Sequence, residues 1–213
     1  MIDTPSLPRN SYKQLDQFKL FQYLQHKSLA LEKHVNTINV TRNEYIYSPP
    51  ENTNLIYELV QGAVKLGSYT KTGDEYVHDI IWTGDYFGNL KYLNGQFFEF
   101  SKALVDTQIR CYDLHFFKRI IAEDPTLSEW YISYLVMRWC RSEKKISIIK
   151  EKDPGNKIKF LRSYFQTTIQ DSKNDAFLLY DLLTQSDLGD FSGLSRQSIA
   201  TAQKNYSSAS NPG

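Results

Sequence analysis

Four polar side chains near the end of the sequence have the types and spacing to bind a nucleic acid. The segment 196–204 is predicted to form a helix that turns Ile199 and Ala202 inward. Its outward face, named here the candidate DNA face, contains no acid and carries Arg196, Gln197, Thr201 and Lys204. Such side chains donate hydrogen bonds to base edges and phosphates in a major groove. The sequence therefore predicts contact with double-stranded DNA.

The residues that commonly perform catalysis or hold metals lack the spacing for either. Cys111 and Cys140 are too few for a disulfide framework and too far apart for a CxxC motif. A lone histidine on a strand, such as His78, is more often a surface or core residue than a haem ligand. The sequence shows no HExxH, no GxSxG and no phosphate-binding glycine loop. We therefore predict no enzymatic activity, no cofactor and no metal.

A helix-turn-helix is predicted to position the candidate DNA face. Thr184 is a favourable N-cap residue, and Asp187 follows three positions later, so a first helix begins here. Ser192-Gly193-Leu194 forms a short glycine turn, and Ser195 caps the next helix. Two short helices around a tight glycine turn are typical of a helix-turn-helix.

A long helix after Pro125 is predicted to carry an apolar seam. Positions with 3-4-3-4-3 spacing indicate a heptad pattern, interrupted only by Ser142. A helix of about 24 residues is roughly 36 Å long, so we expect the seam to face a second copy of the chain. The alternative is that it packs on its own β-roll. Asp153-Pro154 then signals a hinge and a new helix over 154–168. The seam consists of Ile132, Leu135, Trp139, Ile146 and Ile149.

The first half of the chain has the pattern of a β-roll. From 35 to 110, short stretches rich in Ile, Val, Tyr and Phe are separated by glycines at an interval of 11 residues. Three strands, 56–60, 63–69 and 76–82, are predicted to form a meander. A helical segment within 12–33 is expected to pack on the roll. The predicted fold class is α+β, with a double-stranded β-roll at 1–124, a dimerisation helix at 125–152 and a helix-turn-helix domain at 153–213.

Composition and charge limit the classes of partner. The 213 residues are 41% hydrophobic and 23% charged, which is typical of a globular protein. A net charge of +1 gives no overall support for a nucleic-acid or membrane partner. No apolar run approaches the roughly 18 residues of a membrane helix, and no signal peptide is evident, so we expect a cytoplasmic protein. Six basic residues either extend a DNA-binding surface or form a solvated helix face: Arg138, Arg141, Lys144, Lys145, Lys150 and Lys152.

Several short motifs occur in a specific order along the chain. They are the stretches 56–62, 73–75, 84–88 and 103–107 in the roll, and 183–185, 187–188 and 193–199 after it. In this order they resemble the Crp/Fnr family of bacterial transcription regulators. The resemblance implies a cyclic-nucleotide-binding-type roll, a homodimer and double-stranded DNA as the partner. It matches Arg196 and Gln197 with positions that contact bases, and Ser195 and Lys204 with positions that contact phosphates.

The sequence departs from the family members that bind cyclic AMP. Those members have a Glu where Asn89 stands, and an Arg pair where we align Phe97 and Phe98. Two phenyl rings cannot bind a phosphate anion, so we predict control by something other than cyclic AMP. Either the roll is filled by its own aromatic side chains, or it binds an apolar or planar effector. The candidate pocket residues are Trp82, Phe87, Gly88, Asn89, Phe97 and Phe98.

The C-terminal part departs from the family pattern as well. After Lys204 the sequence is polar and turn-rich, so residues 205–213 are predicted to be unstructured and the β-hairpin wing reduced or absent. Residues 154–213 carry six basic and five acidic side chains, which is unusually neutral for a DNA-binding domain. We expect a homodimeric DNA-binding transcription regulator. The alternative is a sensor or protein-interaction module that no longer binds DNA.

Overall fold

Eight antiparallel strands form the roll in two four-stranded sheets, and helices complete an α+β fold. The structure, a computed structural model, describes residues 18–27, 30–49, 53–88 and 99–210. For residues 207–210 it describes the backbone only. The first sheet has the order β1-β8-β3-β6 and the second β2-β7-β4-β5. The strands are β1 Val35–Val40, β2 Tyr45–Tyr47, β3 Leu55–Gln61, β4 Ala63–Tyr69, β5 Glu75–Trp82, β6 Tyr86–Phe87, β7 Phe100–Ala103 and β8 Thr107–Asp113.

The inner faces of the two sheets enclose the core of the roll. Leu59 and Ile109 from the first sheet and Val64 and Ile81 from the second are completely buried in one cluster. Because side chains alternate across a strand, Ile81 points into the roll while its neighbours Ile80 and Trp82 face the C-terminal part. The second sheet thus has two apolar faces, so its outer face must be buried against another part of the chain.

The predicted meander of 56–60, 63–69 and 76–82 is wrong. Only β4 and β5 pair directly, through the predicted hairpin at 71–74, whereas β3 pairs with β8 and β6 in the other sheet. A single residue, Gly62, joins β3 to β4, which is too short for a two-residue hairpin loop. Gly62 has φ +103°, and a Cβ there would lie 2.5 Å from Thr107 Oγ1, so glycine alone allows this turn across the roll.

Six α-helices, two short 3₁₀ helices (Leu31–Lys33 and Leu179–Leu182) and a small hairpin complete the described chain. Two of the helices begin with an aspartate cap before a proline: Asp124 accepts from Thr126 N at 2.9 Å, and Asp153 accepts from Asn156 N at 2.7 Å. The helices are α1 Leu20–His26, α2 Leu114–Glu123, α3 Pro125–Lys150, α4 Pro154–Tyr164, α5 Gln185–Ser192 and α6 Arg196–Ser210, and the hairpin strands are β9 Thr168–Gln170 and β10 Ala176–Leu178.

Two predicted boundaries need correction. The helix predicted over 154–168 ends at Tyr164, because Thr168 begins β9. The segment predicted to be unstructured after Lys204 continues α6 to Ser210. Tyr206 explains the extension, since it packs on the C-terminal core and Arg162 lies 5.1 Å from its ring centre. No strand follows α6 within the described residues, and the reduced wing stays a prediction.

The predicted helical segment before the roll is present in part. Residues 12–17 lie outside the described residues, and α1 follows at Leu20–His26. Leu20 and Leu24 are buried against α2, the start of α3 and the roll residues Ile56 and Tyr112. The segment therefore closes the end of the roll at which the long helix begins.

The C-terminal part is the cover for the outer face of the second sheet. One hydrophobic cluster contains Ala63, Val77 and Ile80 from the roll together with Phe191 and Ile199 from the helix-turn-helix. Polar contacts join the same surfaces. Lys65 Nζ lies 2.9 Å from Asp187 Oδ1, and Asp190 Oδ2 accepts from the Val77 amide at 2.9 Å.

Candidate nucleic-acid interface and effector cavity

The local contacts of the helix-turn-helix are those that its sequence predicts. Thr184 Oγ1 accepts from the Asp187 amide at 3.1 Å, and Asp187 Oδ2 accepts from the Thr184 amide at 2.9 Å, which completes a capping box. Gly193 ends α5 in the left-handed region, with φ +71°. Ser195 Oγ then accepts from the Ser198 amide at 3.1 Å and caps α6.

The candidate DNA face lies in solvent along one side of α6. Ile199 and Ala202 are buried on the opposite side, as predicted. At 100° per residue, the four side chains of the face fall within an arc of about 140°. With the capping residue, the exposed set is Ser195, Arg196, Gln197, Thr201 and Lys204. The structure thus brings the predicted DNA-contacting residues together on one uncovered surface.

The seam on α3 is also uncovered. The exposed fractions are 55% for Ile132, 48% for Leu135, 69% for Trp139, 57% for Ile146 and 40% for Ile149. Most of the surface of this stripe is therefore not buried against its own roll, although Leu135 and Trp139 border a cavity between the roll and α3. A contiguous apolar stripe exposed over this length of helix is typical of a surface that another protein covers.

Beyond the buried apolar residues Trp130, Tyr134 and Met137, the roll-facing side of α3 carries cations. Arg138 Nη2 lies 2.6 Å from Asp79 Oδ2, and Arg141 Nη1 lies 2.6 Å from Asp85 Oδ1. Lys145 Nζ donates to the backbone oxygen of His78. Burial lowers the pKa of Arg138, but Asp79 and the other neighbouring groups, among them Asp85, together outweigh burial, so the net pKa is raised.

These contacts correct the interpretation of three of the six basic residues on the long helix, while both interpretations stay open for the exposed Lys144, Lys150 and Lys152. Arg138, Arg141 and Lys145 are bound to the roll, so they neither form a solvated face nor extend the DNA-binding surface. Burial lowers the pKa of Lys145, and the nearby Asp79 and Asp190 carboxylates oppose that effect. The three cations instead join the long helix to β5 and to the loop before β6.

A cavity of about 370 Å³ lies between the roll and α3, and it is named here the effector cavity. Phe87 and Gly88 line it as predicted, together with Tyr134, Arg138 and Trp139. The Tyr134 hydroxyl lies 2.7 Å from the Tyr86 amide and 3.0 Å from the Tyr86 carbonyl, so the helix and the loop are in direct contact at the wall. Three further candidates, Asn89, Phe97 and Phe98, lie outside the described residues.

Trp82 does not belong to this cavity, which corrects its prediction as a pocket residue. As the last residue of β5 it faces outward, because the inward position of the alternation belongs to Ile81. Its ring packs against Tyr164, 6.5 Å away between ring centres, and Arg141 stacks over it at 4.6 Å. Trp82 therefore lies in the cleft between the roll and the C-terminal part.

Sequence reasoning missed a polar cluster in the wall of the cavity. Glu99 is 6% exposed, accepts from the Tyr47 hydroxyl at 2.5 Å and lies 3.3 Å from His78 Nε2. Burial, followed by the Glu99 charge, raises the pKa of Tyr47 well above its usual value. His78 reaches Glu99 from a β-bulge, since β4 pairs Leu66 with Asp79 and then Gly67 with Val77. No pattern in the sequence indicates that bulge.

The helices give no sign of a membrane-spanning segment. Within the described ranges of the chain, no helix is both long enough and apolar enough to cross a bilayer.

Comparison with known proteins identifies the roll first. Residues 37–124 match the family described as the cyclic nucleotide-binding domain. The Global nitrogen regulator of Synechococcus elongatus is 27% identical over 120 residues, which cover 55% of this chain and 54% of that protein. The CRP-like cAMP-activated global transcriptional regulator of Mycobacterium tuberculosis is 24% identical over 192 residues, 88% of this chain and 84% of that protein.

Solved structures match the arrangement of most of the chain. FixK2 from Bradyrhizobium japonicum has a TM-score of 0.64 at 15% identity, covering 83% of this chain and 86% of its own. A mutant of CooA from Carboxydothermus hydrogenoformans has a TM-score of 0.65 at 18% identity, covering 91% and 86%. The fold is that of a cyclic-nucleotide-binding-type roll joined by a long helix to a helix-turn-helix. The chain thus combines a cyclic nucleotide-binding domain with sequence similarity to CRP-like regulators and with the fold of solved Crp/Fnr regulator structures.

Proposed function

We propose that the protein is a homodimeric, sequence-specific DNA-binding regulator of transcription that is not controlled by cyclic AMP. In this proposal residues 1–124 form the sensing roll, 125–152 the dimerisation helix and 153–213 the DNA-binding part. The observation that carries the proposal is the candidate DNA face, an acid-free exposed surface on a capped helix-turn-helix. Two copies of α6 would enter successive major grooves about 34 Å apart.

The seam supports the dimer in this proposal. Coiled-coil spacing leaves five apolar side chains 40–69% exposed on α3, and a second copy of the same helix offers a matching surface across a two-fold axis. Dimerisation places the two α6 helices in a fixed relation to that axis. The half-sites of the DNA would then be related by the same symmetry.

The effector cavity supports control through the position of α3. Its wall contains Arg138 and Tyr134 from the helix together with Asp79 from β5. An occupant that prefers one arrangement of these groups shifts the population of α3 orientations, and with it the spacing of the α6 helices. The replacement of the family's phosphate-binding residues by Asn89, Phe97 and Phe98 argues that this occupant is not cyclic AMP.

DNA binding is tested without any added ligand. Purified protein is incubated with sheared genomic DNA from its source at about physiological salt, and the bound fragments are sequenced. We expect a shared two-fold symmetric motif. Arg196→Ala should then relax the base preference at one position of each half-site. Lys204→Ala should weaken binding to all sequences alike and reduce the salt dependence. Full sequence preference in Arg196→Ala would show that the candidate face does not read bases.

The dimer is tested by sedimentation equilibrium. Trp139→Asp introduces a charge at the centre of the seam and should convert the dimer to monomer. Lys144→Asp, a charge change about 140° away on the same helix, should leave the dimer intact. A Trp139→Asp protein that sediments as the wild-type dimer would show that another surface holds the two copies.

A second candidate function has a specific observation in its favour. The near neutrality of residues 154–213 is unusual for a DNA-binding domain, and it fits a sensor or protein-interaction module that has lost DNA binding. A folded dimer that retains no duplex even at low salt would favour this second function.

A further inference from the structure

A buried lysine lies where the long helix meets the helix-turn-helix. Lys157 is in the first turn of α4 and is 5% exposed. It forms no ion pair with a carboxylate among the residues that the structure describes. A buried ammonium without a counterion is costly unless hydrogen bonds satisfy its donors. Its partners therefore indicate why it is there.

Both partners are carbonyls at the ends of other helices. Lys157 Nζ donates to Ile149 O at 2.9 Å and to Ser192 O at 2.6 Å. Ile149 belongs to the last turn of α3, and Ser192 is the last residue of α5. The final four carbonyls of a helix have no partner within the helix, and together they carry a partial negative charge. One ammonium thus satisfies orphan carbonyls of two helices.

The two helix ends are also packed together. A Cβ on Gly193, in the turn of the helix-turn-helix, would lie 3.6 Å from the Ile149 side chain. Lys145 stacks over Phe191 at 4.6 Å one turn earlier on α3. The turn that sets the direction of α6 therefore rests directly on the helix that carries the seam.

We propose that Lys157 is a positioning residue that fixes the orientation of α6 relative to the dimer axis. This inference rests on the proposed function and deepens it. The seam on α3 defines the two-fold axis, and α5 with its turn defines the direction of α6. The Lys157 ammonium joins the two. Without it each helix-turn-helix still folds and reads its half-site, but the two copies no longer hold the spacing that a symmetric site requires.

The test compares two duplexes taken from the genomic selection, one with both half-sites and one with a single half-site. Lys157→Met keeps the length of the side chain and removes the charge. A lost charge-assisted hydrogen bond corresponds to a factor of about ten or more in an equilibrium constant. We expect Lys157→Met to bind the symmetric duplex about tenfold more weakly, with the half-site affinity changed by less than about twofold. Lys157→Arg, which keeps the charge and the donors, should restore the symmetric site.

A matched control separates position from charge. Lys152→Met removes an exposed positive charge five residues earlier and should affect both duplexes equally. Equal losses on both duplexes in Lys157→Met, no loss on either, or failure of Lys157→Arg to restore binding would each overturn the inference. Should Lys157→Met fail to fold, Lys157→Gln replaces it, with the same expected loss.

A second measurement does not depend on DNA. Hydrogen exchange is followed at the Leu194 amide, which donates to Gly189 O, and at the Glu151 amide, which donates to Ser147 O. We expect both to exchange at least about tenfold faster in Lys157→Met. If the genomic selection recovers no bound duplex, the proposed function fails, and the exchange data alone decide the inference. Unchanged exchange at both amides would overturn it.

Discussion

The ion pair between Lys65 and Asp187 should stabilise the contact between the roll and the helix-turn-helix. The Lys65 side chain is 18% exposed and Asp187 is 3% exposed, with 2.9 Å between their charged atoms. Removing one member of a buried pair costs about 3–5 kcal/mol. Asp187 keeps its hydrogen bonds from Thr184, and Lys65 is partly in water. We therefore expect Lys65→Met to lower the free energy of unfolding by about 2 kcal/mol.

Urea unfolding is the appropriate assay. Tryptophan fluorescence and far-UV circular dichroism should be recorded together, because coincident transitions are needed before a single free energy is assigned. Lys71→Met is the matched control, since Lys71 is exposed at the tip of the β4–β5 hairpin that also carries Lys65. A surface change of this kind should cost less than about 0.5 kcal/mol.

A double-mutant cycle isolates the pair. Asp187→Asn alone also weakens the capping box, so the informative quantity is the coupling free energy between Lys65→Met and Asp187→Asn. We expect about 1–2 kcal/mol for residues in direct contact. If Lys65→Met is no more destabilising than Lys71→Met, or the coupling is near zero, the ion pair does not hold the two parts together.

Three further perturbations follow from the same structure. The hydrogen bond from Lys27 is the main reason that the pKa of Asp124 is lowered to about 2. The Asp124 carboxylate therefore stabilises the fold at pH values above the usual carboxyl pKa, and this stabilisation is lost as the pH falls to about 2. In Asp124→Asn the urea unfolding midpoint should therefore depend less on pH in this acid range. A midpoint that depends on pH as in the wild-type protein would contradict this. Burial raises the pKa of the Cys111 thiol to about 11, so alkylation at about pH 8 should modify Cys140 but spare Cys111 until unfolding, as peptide mass spectrometry would show. Gly193→Ala should cost about 1–2 kcal/mol because Gly193 has φ +71°, and an unshifted thermal midpoint would refute the strain.

Signals confined to a few neighbouring residues were sufficient to predict much of the fold. The capping box at Thr184, the aspartate before Pro154 and the glycine hairpin at 71–74 all involve groups within four positions of one another, and the structure contains each of them. The candidate DNA face follows from the same local reasoning, because the period of a helix fixes which side chains share a side.

Features that depend on distant residues could not be predicted in this way. The pairing of β3 with β8 rather than β4, and the bulge that brings His78 to Glu99, depend on long-range packing. The helix α2 was not predicted, although Asp113 caps it by accepting from the Phe116 amide at 2.9 Å. The continuation of α6 beyond Lys204 depends on Tyr206 finding a place in a core formed partly by other helices.

The order of the strands affects how the chain folds while it is being synthesised. β1 pairs only with β8 among the described strands, and β8 also pairs with β3, so the first sheet lacks one of its two central strands until Asp113 has been added. About 70 residues separate β1 from β8, which at ribosomal rates of about 5–20 residues per second is a delay of roughly 4–14 s. During that interval β1, and β3 once Gln61 has been added, lack β8 as a partner and can pair with other nascent chains. Translation speed across this stretch should therefore affect the yield.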